Sequence, residues 1–310
     1  MNTDKIDAWN AGEWLEKFEQ AKRHRDTHGV RAEVFQSTVR MVKAGRYISQ
    51  SGKTVVLGDI LNKNNISDNV FYEGEIPWQQ TEVAYNTTYK VVNQDCLELA
   101  RSLKEQDATD DLAVLNMASA TNPGGGVYGG AGAQEEYLFR CSDYYRFLFQ
   151  YARHFDSRQY DVEPNNRHRY PLERNFGGVY SQGVTVFRNT EAHGYALLDE
   201  PCQMNFIAVA ACNLRYDERG ERLPDYLIEI TRNKIRTIFR IAAANNQTRL
   251  VLGAFGCGAF GNPPAHIAEL FRDILHEEEF RSCFHEVYFA IINDHNDRHG
   301  NFQTFANIIK

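Results

Sequence analysis

Asn122-Pro123-Gly124-Gly125-Gly126 is followed by seven residues and then Gln134-Glu135-Glu136. Three consecutive glycines strip every Cβ from a stretch of backbone, so that a ligand can approach its N–H groups. The same loop then delivers two carboxylates at the start of a predicted helix, where an anion-binding backbone and proton chemistry meet. This combination suggests chemistry on a phosphorylated sugar.

A second glycine loop runs from Gly253 through Gly256-Cys257-Gly258-Ala259-Phe260-Gly261-Asn262 to Pro263-Pro264, where the prolines open a helix. Its N–H groups suit a diphosphate, with the dipole of the following helix adding partial positive charge. Both loops follow predicted strands, and in open α/β sheets ligands bind beyond the carboxyl ends of strands. Two such loops on one sheet edge would make a cleft. The first is not a dinucleotide-fold fingerprint, because its glycines are consecutive and the helix starts well beyond them.

The elements that must position these loops alternate from Tyr89 onward. Strands are predicted over Tyr89–Asn93, Leu112–Ala118, Val179–Phe187, Phe206–Ala211, Leu250–Ala254 and Glu286–Ile292. Helices are predicted over Leu97–Lys104, Gln134–Tyr151, Tyr226–Asn245 with Asp225 as N-cap, Ala265–His276 and Phe302–Ile309. Runs such as Leu250-Val251-Leu252 are apolar on both faces, as strands covered by helices on each side must be. The expected class is α/β, a three-layer α/β/α domain over 89–310. Residues 1–88 read as an accessory, mainly helical extension packed on it. That extension has helices near Ala8–His28 and Val30–Ala44, a strand at Thr54–Leu57, the polar turn Asn62–Asn69 and a segment Phe71–Gln80 without clear period.

Composition excludes several alternatives. The 310 residues are 43% hydrophobic and 24% charged, an ordinary globular balance. The formal charge of −7 disfavours direct binding to a nucleic-acid duplex, which depends on Lys and Arg neutralising phosphates. Six cysteines (Cys96, Cys141, Cys202, Cys212, Cys257 and Cys283) contain no C-x-x-C pair, which points to reduced thiols and a cytoplasmic protein. Met1–Asn10 lacks a signal pattern, and no segment approaches the roughly 18 apolar residues of a membrane span, so no membrane association is expected.

With the two loops in place, the chain resembles the bacterial-type poly(ADP-ribose) glycohydrolases of the macrodomain superfamily, marked by three glycines, a short spacer and Gln-Glu-Glu. Leu115–Pro123 looks like the same context, and the second loop is similar to the family's diphosphate loop. The resemblance runs from about residue 30 to the end. It implies a macrodomain-like mixed sheet and hydrolysis of ribose–ribose bonds in poly(ADP-ribose), releasing ADP-ribose from chain ends. Glu136 would be the catalytic acid and Glu135 would hold a ribose hydroxyl, and no cofactor or metal is implied. The chemistry is compatible: a carboxylic acid can protonate the departing oxygen and afterwards activate water. Adjacent helical residues point about 100° apart and so straddle a bond poorly, which favours unequal roles.

By the same resemblance Phe260 packs on the ribose, unless it is a core residue. Asn122 either bonds ribose hydroxyls or closes its own turn. Asp95 accepts from the adenine amino group, unless it is only the N-cap of the helix after it. The implied substrate-binding set is Asn122, Gly124, Gly125, Gly126, Gln134, Gly256, Cys257, Gly258, Ala259, Phe260, Gly261 and Asp95. The expected partners are ADP-ribose and poly(ADP-ribose), free or attached to protein. Arg167, His168, Arg169 and Arg174 form a basic cluster that either touches a second ADP-ribose or is solvated. His24 with His28 and His295 with His299 have metal-pair spacing but lack the glutamate of the hydrolytic zinc motif, and read as solvated. Two rival functions remain open: a hydrolase of single ADP-ribose groups on protein, nucleic acid or small molecules, and a non-catalytic ADP-ribose reader.

Overall fold

The computed structural model describes residues 8–58, 61, 66–78, 83–217, 220–293 and 300–310. His295 and His299, and parts of the 62–69 and 71–80 segments, lie outside the described residues. The chain divides into two compact units. One comprises Met1–Asn69, Thr121–Pro171 and Ser181–Met204; the other comprises Val70–Ala120, Leu172–Tyr180 and Asn205–Lys310.

The strands are β1 (Arg46–Ile48), β2 (Thr54–Val56), β3 (Val70–Tyr72), β4 (Thr88–Val92), β5 (Leu112–Met117), β6 (Gly178–Arg188), β7 (Leu197–Val209), β8 (Arg249–Leu252) and β9 (Glu286–Ala290). Seven of them form a mixed sheet in the order β3-β6-β7-β5-β8-β9-β4. The pairs β5/β7, β5/β8, β8/β9 and β4/β9 are parallel, and β3 pairs antiparallel with β6. The doubly apolar strands behave as predicted. Ala113, Leu115, Leu250, Leu252, Val287 and Phe289 face one core with Ile238 and Phe239 of the helix Asp225–Ala244 and Phe271 of the helix Pro264–Leu275. The alternate residues Leu112, Val114 and Val251 are buried on the other face. There the helix Cys96–Gln106 buries Leu97, Ala100 and Leu103. Helices on both faces give the three layers expected.

The two ends of this sheet do different work. At the amino ends of β5 and β8 the buried Arg249 pairs with Asp111 at 2.8 Å, and its guanidinium also donates to the carbonyls of Asp107 and Thr109 at 3.2 and 3.3 Å. Such a satisfied buried cation is a structural rivet, costly to break. At the carboxyl ends of the same adjacent strands, paired Ala113↔Leu250 and Val114↔Val251, the two glycine loops depart.

In the other unit, the helices Ala11–Arg23 and His28–Ala44 match the expected pair. Asn10 caps the first by accepting from Glu13 N at 3.0 Å, an interaction worth about 1 kcal/mol. Gly45, at φ +65°, ends the second in a left-handed cap.

Three expectations are corrected. The helix expected over Gln134–Tyr151 is three pieces, Gln134–Cys141, Tyr145–Leu148 and a 3-10 turn at Phe149–Tyr151. Ser142 leaves the helix in extended conformation to bridge Val186, its hydroxyl donating to Leu138 O at 2.7 Å, and Asp143 accepts from Thr185 N at 2.7 Å. Tertiary pairing thus overrides helical periodicity. The strand expected to begin at Phe206 begins at Leu197, its first half disguised by Asp199, Glu200 and Pro201. Asp225 is the first residue of its helix rather than the cap, which is Pro224 and makes no side-chain capping bond.

Candidate active site

The glycine loop closes onto the two carboxylates instead of standing open. Gly124 N donates to Glu135 Oε1 at 3.0 Å and Gly126 N donates to Glu136 Oε1 at 2.8 Å, while Gly125 N donates to Asn122 O at 3.1 Å. All three N–H groups expected to meet a ligand are therefore taken up internally. The glycines are required for a different reason than the one read from the sequence. Gly124 and Gly125 sit at φ +77° and +54°, and a Cβ on Gly124 would stand 2.7 Å from Phe139 Cε1. Glycine lets the backbone wrap the acids.

Glu135 and Glu136 are 3% and 7% exposed. With Oε1 held by Gly126, Oε2 of Glu136 is buried without a hydrogen-bond partner among the described residues. A buried orphan acceptor costs about 1–3 kcal/mol, so it is a feature that calls for a functional reason. Tyr170 is buried nearby, and burial first, then the Glu135 carboxylate, pushes its phenol well above the ordinary tyrosine range, which keeps it neutral. Gln134 is the first residue of the helix, after Ala133. Asn122 is exposed, its Nδ2 3.3 Å from Thr121 Oγ1, and its carbonyl closes the turn.

Between the glycines and the acids, residues 127–132 lie against the helix His28–Ala44. His24 and His28 are exposed, as expected, and His28 Nδ1 also lies 3.0 Å from Gly129 O. Arg31 forms a bidentate pair with Glu191 at 2.7 and 2.8 Å. Tyr195 donates its hydroxyl to Glu191 Oε2 at 2.9 Å and accepts from Arg140 Nε at 2.7 Å. Arg140 also donates to Ala131 O at 2.7 Å. Burial alone would raise the Glu191 pKa, but the Arg31 guanidinium outweighs it and holds this carboxyl below its ordinary range. These four residues were not legible in the sequence: apart from Arg140, one turn beyond Glu136, they are scattered along the chain without a shared motif.

In the second loop the structure splits the expected set. Cys257 donates its N–H to Ala254 O and Gly261 donates to Gly258 O, at 3.0 and 3.1 Å, and the Cys257 side chain is buried. Those two residues shape the loop and offer no donor. The consecutive N–H groups of Gly258, Ala259 and Phe260 have no acceptor among the described residues. As the loop stands, these three consecutive groups could cradle an anion. Asn262, missed in the sequence, holds the loop closed: its Nδ2 donates to Cys212 O at 2.7 Å and Gly256 O at 3.1 Å. Phe260 is half-buried and packs at the edge of the core.

Asp95 is the N-cap: Oδ1 accepts from Leu97 N at 2.8 Å and Glu98 N at 3.2 Å. Arg167, Arg169 and Arg174 are exposed and His168 is half-buried. Among the described residues no group of three or more His, Cys, Asp or Glu is placed to hold a metal.

Residues 35–189 match the family described as microbial-type PARG, catalytic domain. The chain is similar to the crystal structure of poly(ADP-ribose) glycohydrolase from Thermomonospora curvata, with 32% identity over 89% of this chain and 98% of that one, and a TM-score of 0.73. The same protein bound to the inhibitor ADP-HPD matches at 31% identity over the same shares, with a TM-score of 0.71. Poly(ADP-ribose) glycohydrolase from Deinococcus radiodurans in complex with ADP-ribose matches at 36% identity over 72% of this chain and 84% of that one, with a TM-score of 0.57. No curated protein matches the chain.

Proposed function

This chain belongs to the microbial-type poly(ADP-ribose) glycohydrolase family, and we infer from this that it hydrolyses the ribose–ribose O-glycosidic bond of poly(ADP-ribose), releasing ADP-ribose. Glu136 is the general acid and then the general base. The observation that carries this role is its divided carboxyl: Oε1 is fixed by the Gly126 N–H, and Oε2 is buried and unpartnered among the described residues. A neutral carboxyl with Oε1 accepting carries its proton on Oε2. That proton passes to the departing ribose oxygen as the C–O bond breaks and positive charge builds on the remaining sugar. The carboxylate left behind takes a proton from water as the water oxygen bonds to the anomeric carbon, and the acid is restored. Glu135 holds a ribose hydroxyl, the N–H groups of Gly258, Ala259 and Phe260 bind the diphosphate, Phe260 packs on ribose and Asp95 meets the adenine amino group.

Residues 1–88, the accessory extension, cap the far ribose and confine attack to chain ends. The contacts of His28 and Arg31 beside residues 129–132 support this. A macrodomain-type core in 89–310 and a cytoplasmic location belong to the same reading. The free cysteines support the location, and no helix among the described residues is long and apolar enough to cross a membrane.

The test offers purified protein both polymer and mono-ADP-ribosylated substrate. Release of ADP-ribose from polymer is expected. Rapid loss of mono-modification with intact polymer would reassign the substrate, and binding of ADP-ribose with neither reaction would make the protein a reader.

A further inference from the structure

The acid Glu136 is held by a loop that is itself held from outside. Gly126 N donates to Glu136 Oε1, Gly126 O accepts from Ala131 N at 3.2 Å, and Ala131 O accepts from Arg140 Nη1 at 2.7 Å. From Arg140 the path runs through the Tyr195 hydroxyl to Glu191, and from Glu191 to Arg31 on the helix His28–Ala44. Arg140 and Tyr195 are 1% and 0% exposed, and Arg140 O accepts from the Thr38 hydroxyl at 2.6 Å, so the junction is locked in protein. Glycine at 132 lets the loop pass directly over Arg31, where a Cβ would stand 2.7 Å from the guanidinium carbon.

We propose that Tyr195 is a positioning residue for the reaction: its hydroxyl couples Arg140 to the Arg31–Glu191 pair and so sets where the 126–131 turn presents the Gly126 N–H to Glu136. The proposal rests on Glu136 being the proton donor. The Tyr195 hydroxyl bonds Arg140 and Glu191. It accepts the Arg140 N–H and donates to Glu191, a two-way bridge that phenylalanine cannot make and that burial keeps neutral, its phenol being pushed well above the ordinary range. Losing the bridge frees Arg140 from its second anchor and loosens the Ala131 carbonyl. The carboxyl then samples positions off the line of proton transfer without losing any group that binds substrate.

The experiment uses the full chain and the variants Tyr195→Phe and Glu191→Gln, measured well below their unfolding temperatures. The kcat on poly(ADP-ribose) should fall about ten- to hundredfold, the scale of a misplacement near 1 Å. KM and the ADP-ribose Kd should stay within about threefold, since no ground-state contact is removed. Amide exchange at Gly126 and Ala131 should accelerate by about tenfold or more in the same variants. A kcat within about twofold of the parent in a folded variant, or a raised KM with kcat unchanged, overturns the proposal. Unchanged exchange at both amides overturns it too, and that readout decides the matter even if the parent proves inactive on polymer, a result that would instead sink the functional reading. Should Tyr195→Phe fail to fold, Glu191→Gln, at the more exposed end of the path, supplies the same readouts.

Discussion

Gly125 is packed against Glu136 so closely that a Cβ on it would collide with Oε1 of the carboxyl and stand 3.2 Å from Glu135 Oε2. At φ +54° it also occupies a backbone region that costs an L-residue about 1–2 kcal/mol. Gly125→Ala should lower stability by about that amount and turnover by about a hundredfold or more, because the only relief is to move the acid. Thermal unfolding and kcat measured together check this; an alanine variant with parental kcat would show that the carboxyl tolerates displacement.

Replacing the acid itself separates binding from chemistry. Glu136→Gln should keep ADP-ribose affinity within about tenfold, equivalent to about 1.4 kcal/mol, while turnover falls by orders of magnitude. Calorimetric titration and a polymer-release assay give the two numbers. A variant as active as the parent removes Glu136 from the mechanism.

Two glycines of the second loop should respond in opposite ways. Gly256 lies at φ +74° with Asn262 Nδ2 and Ala211 Cβ 2.5 and 2.6 Å from a built Cβ, whereas a Cβ on Gly258 meets nothing within 4 Å. Gly256→Ala should therefore destabilise the fold, by about 1–3 kcal/mol. Gly258→Ala should leave stability within about 0.5 kcal/mol yet weaken ADP-ribose binding, because its methyl group stands where the phosphate would approach. Parental affinity in a folded Gly258→Ala variant would remove the diphosphate from this turn.

Asp95 can be tested without losing its cap. Serine caps a helix about as well as aspartate but is too short to reach a base. Asp95→Ser should thus preserve the unfolding temperature and weaken ADP-ribose binding by about tenfold, the scale of one hydrogen bond to a charged group. Unchanged affinity would leave Asp95 a cap and nothing more.

Acid sensitivity has a traceable contributor in His266. Its Nδ1 accepts the Leu223 N–H at 2.9 Å inside the protein, and burial first, then the Arg222 charge, holds its pKa below the ordinary 6.5. The unfolded chain takes up that proton more readily than the folded one. The contribution is therefore complete above about pH 6.5 and is lost as pH falls from there through the folded value. His266→Asn, which can still accept the N–H, should flatten the rise of unfolding temperature between about pH 5 and 7. An identical slope in parent and variant would assign the effect elsewhere.

Much of this was legible in the chain. Doubly apolar runs such as Leu250–Leu252 predicted covered strands, because burial on both faces leaves no polar period to misread. The Gly124–Gly126 and Glu135–Glu136 spacing located the acids. The helix expected through Tyr151 failed at Ser142, since a β-bridge to Val186 forms across a sequence distance that no local pattern encodes.

By itself, the order of residues determined the class of fold, the two glycine turns after strands and the pair of carboxylates at a helix start, all of which rest on local periodicity and side-chain absence. Only the tertiary structure decided what the glycines are for. It turned the N–H groups of Gly124 and Gly126 onto the carboxylates, left those of Gly258, Ala259 and Phe260 without acceptors among the described residues, and tied the 126–131 turn to Arg31 through Arg140, Tyr195 and Glu191. The physical reason is that a hydrogen bond depends on where donor and acceptor meet in space, and the partners here stand up to 160 residues apart along the chain.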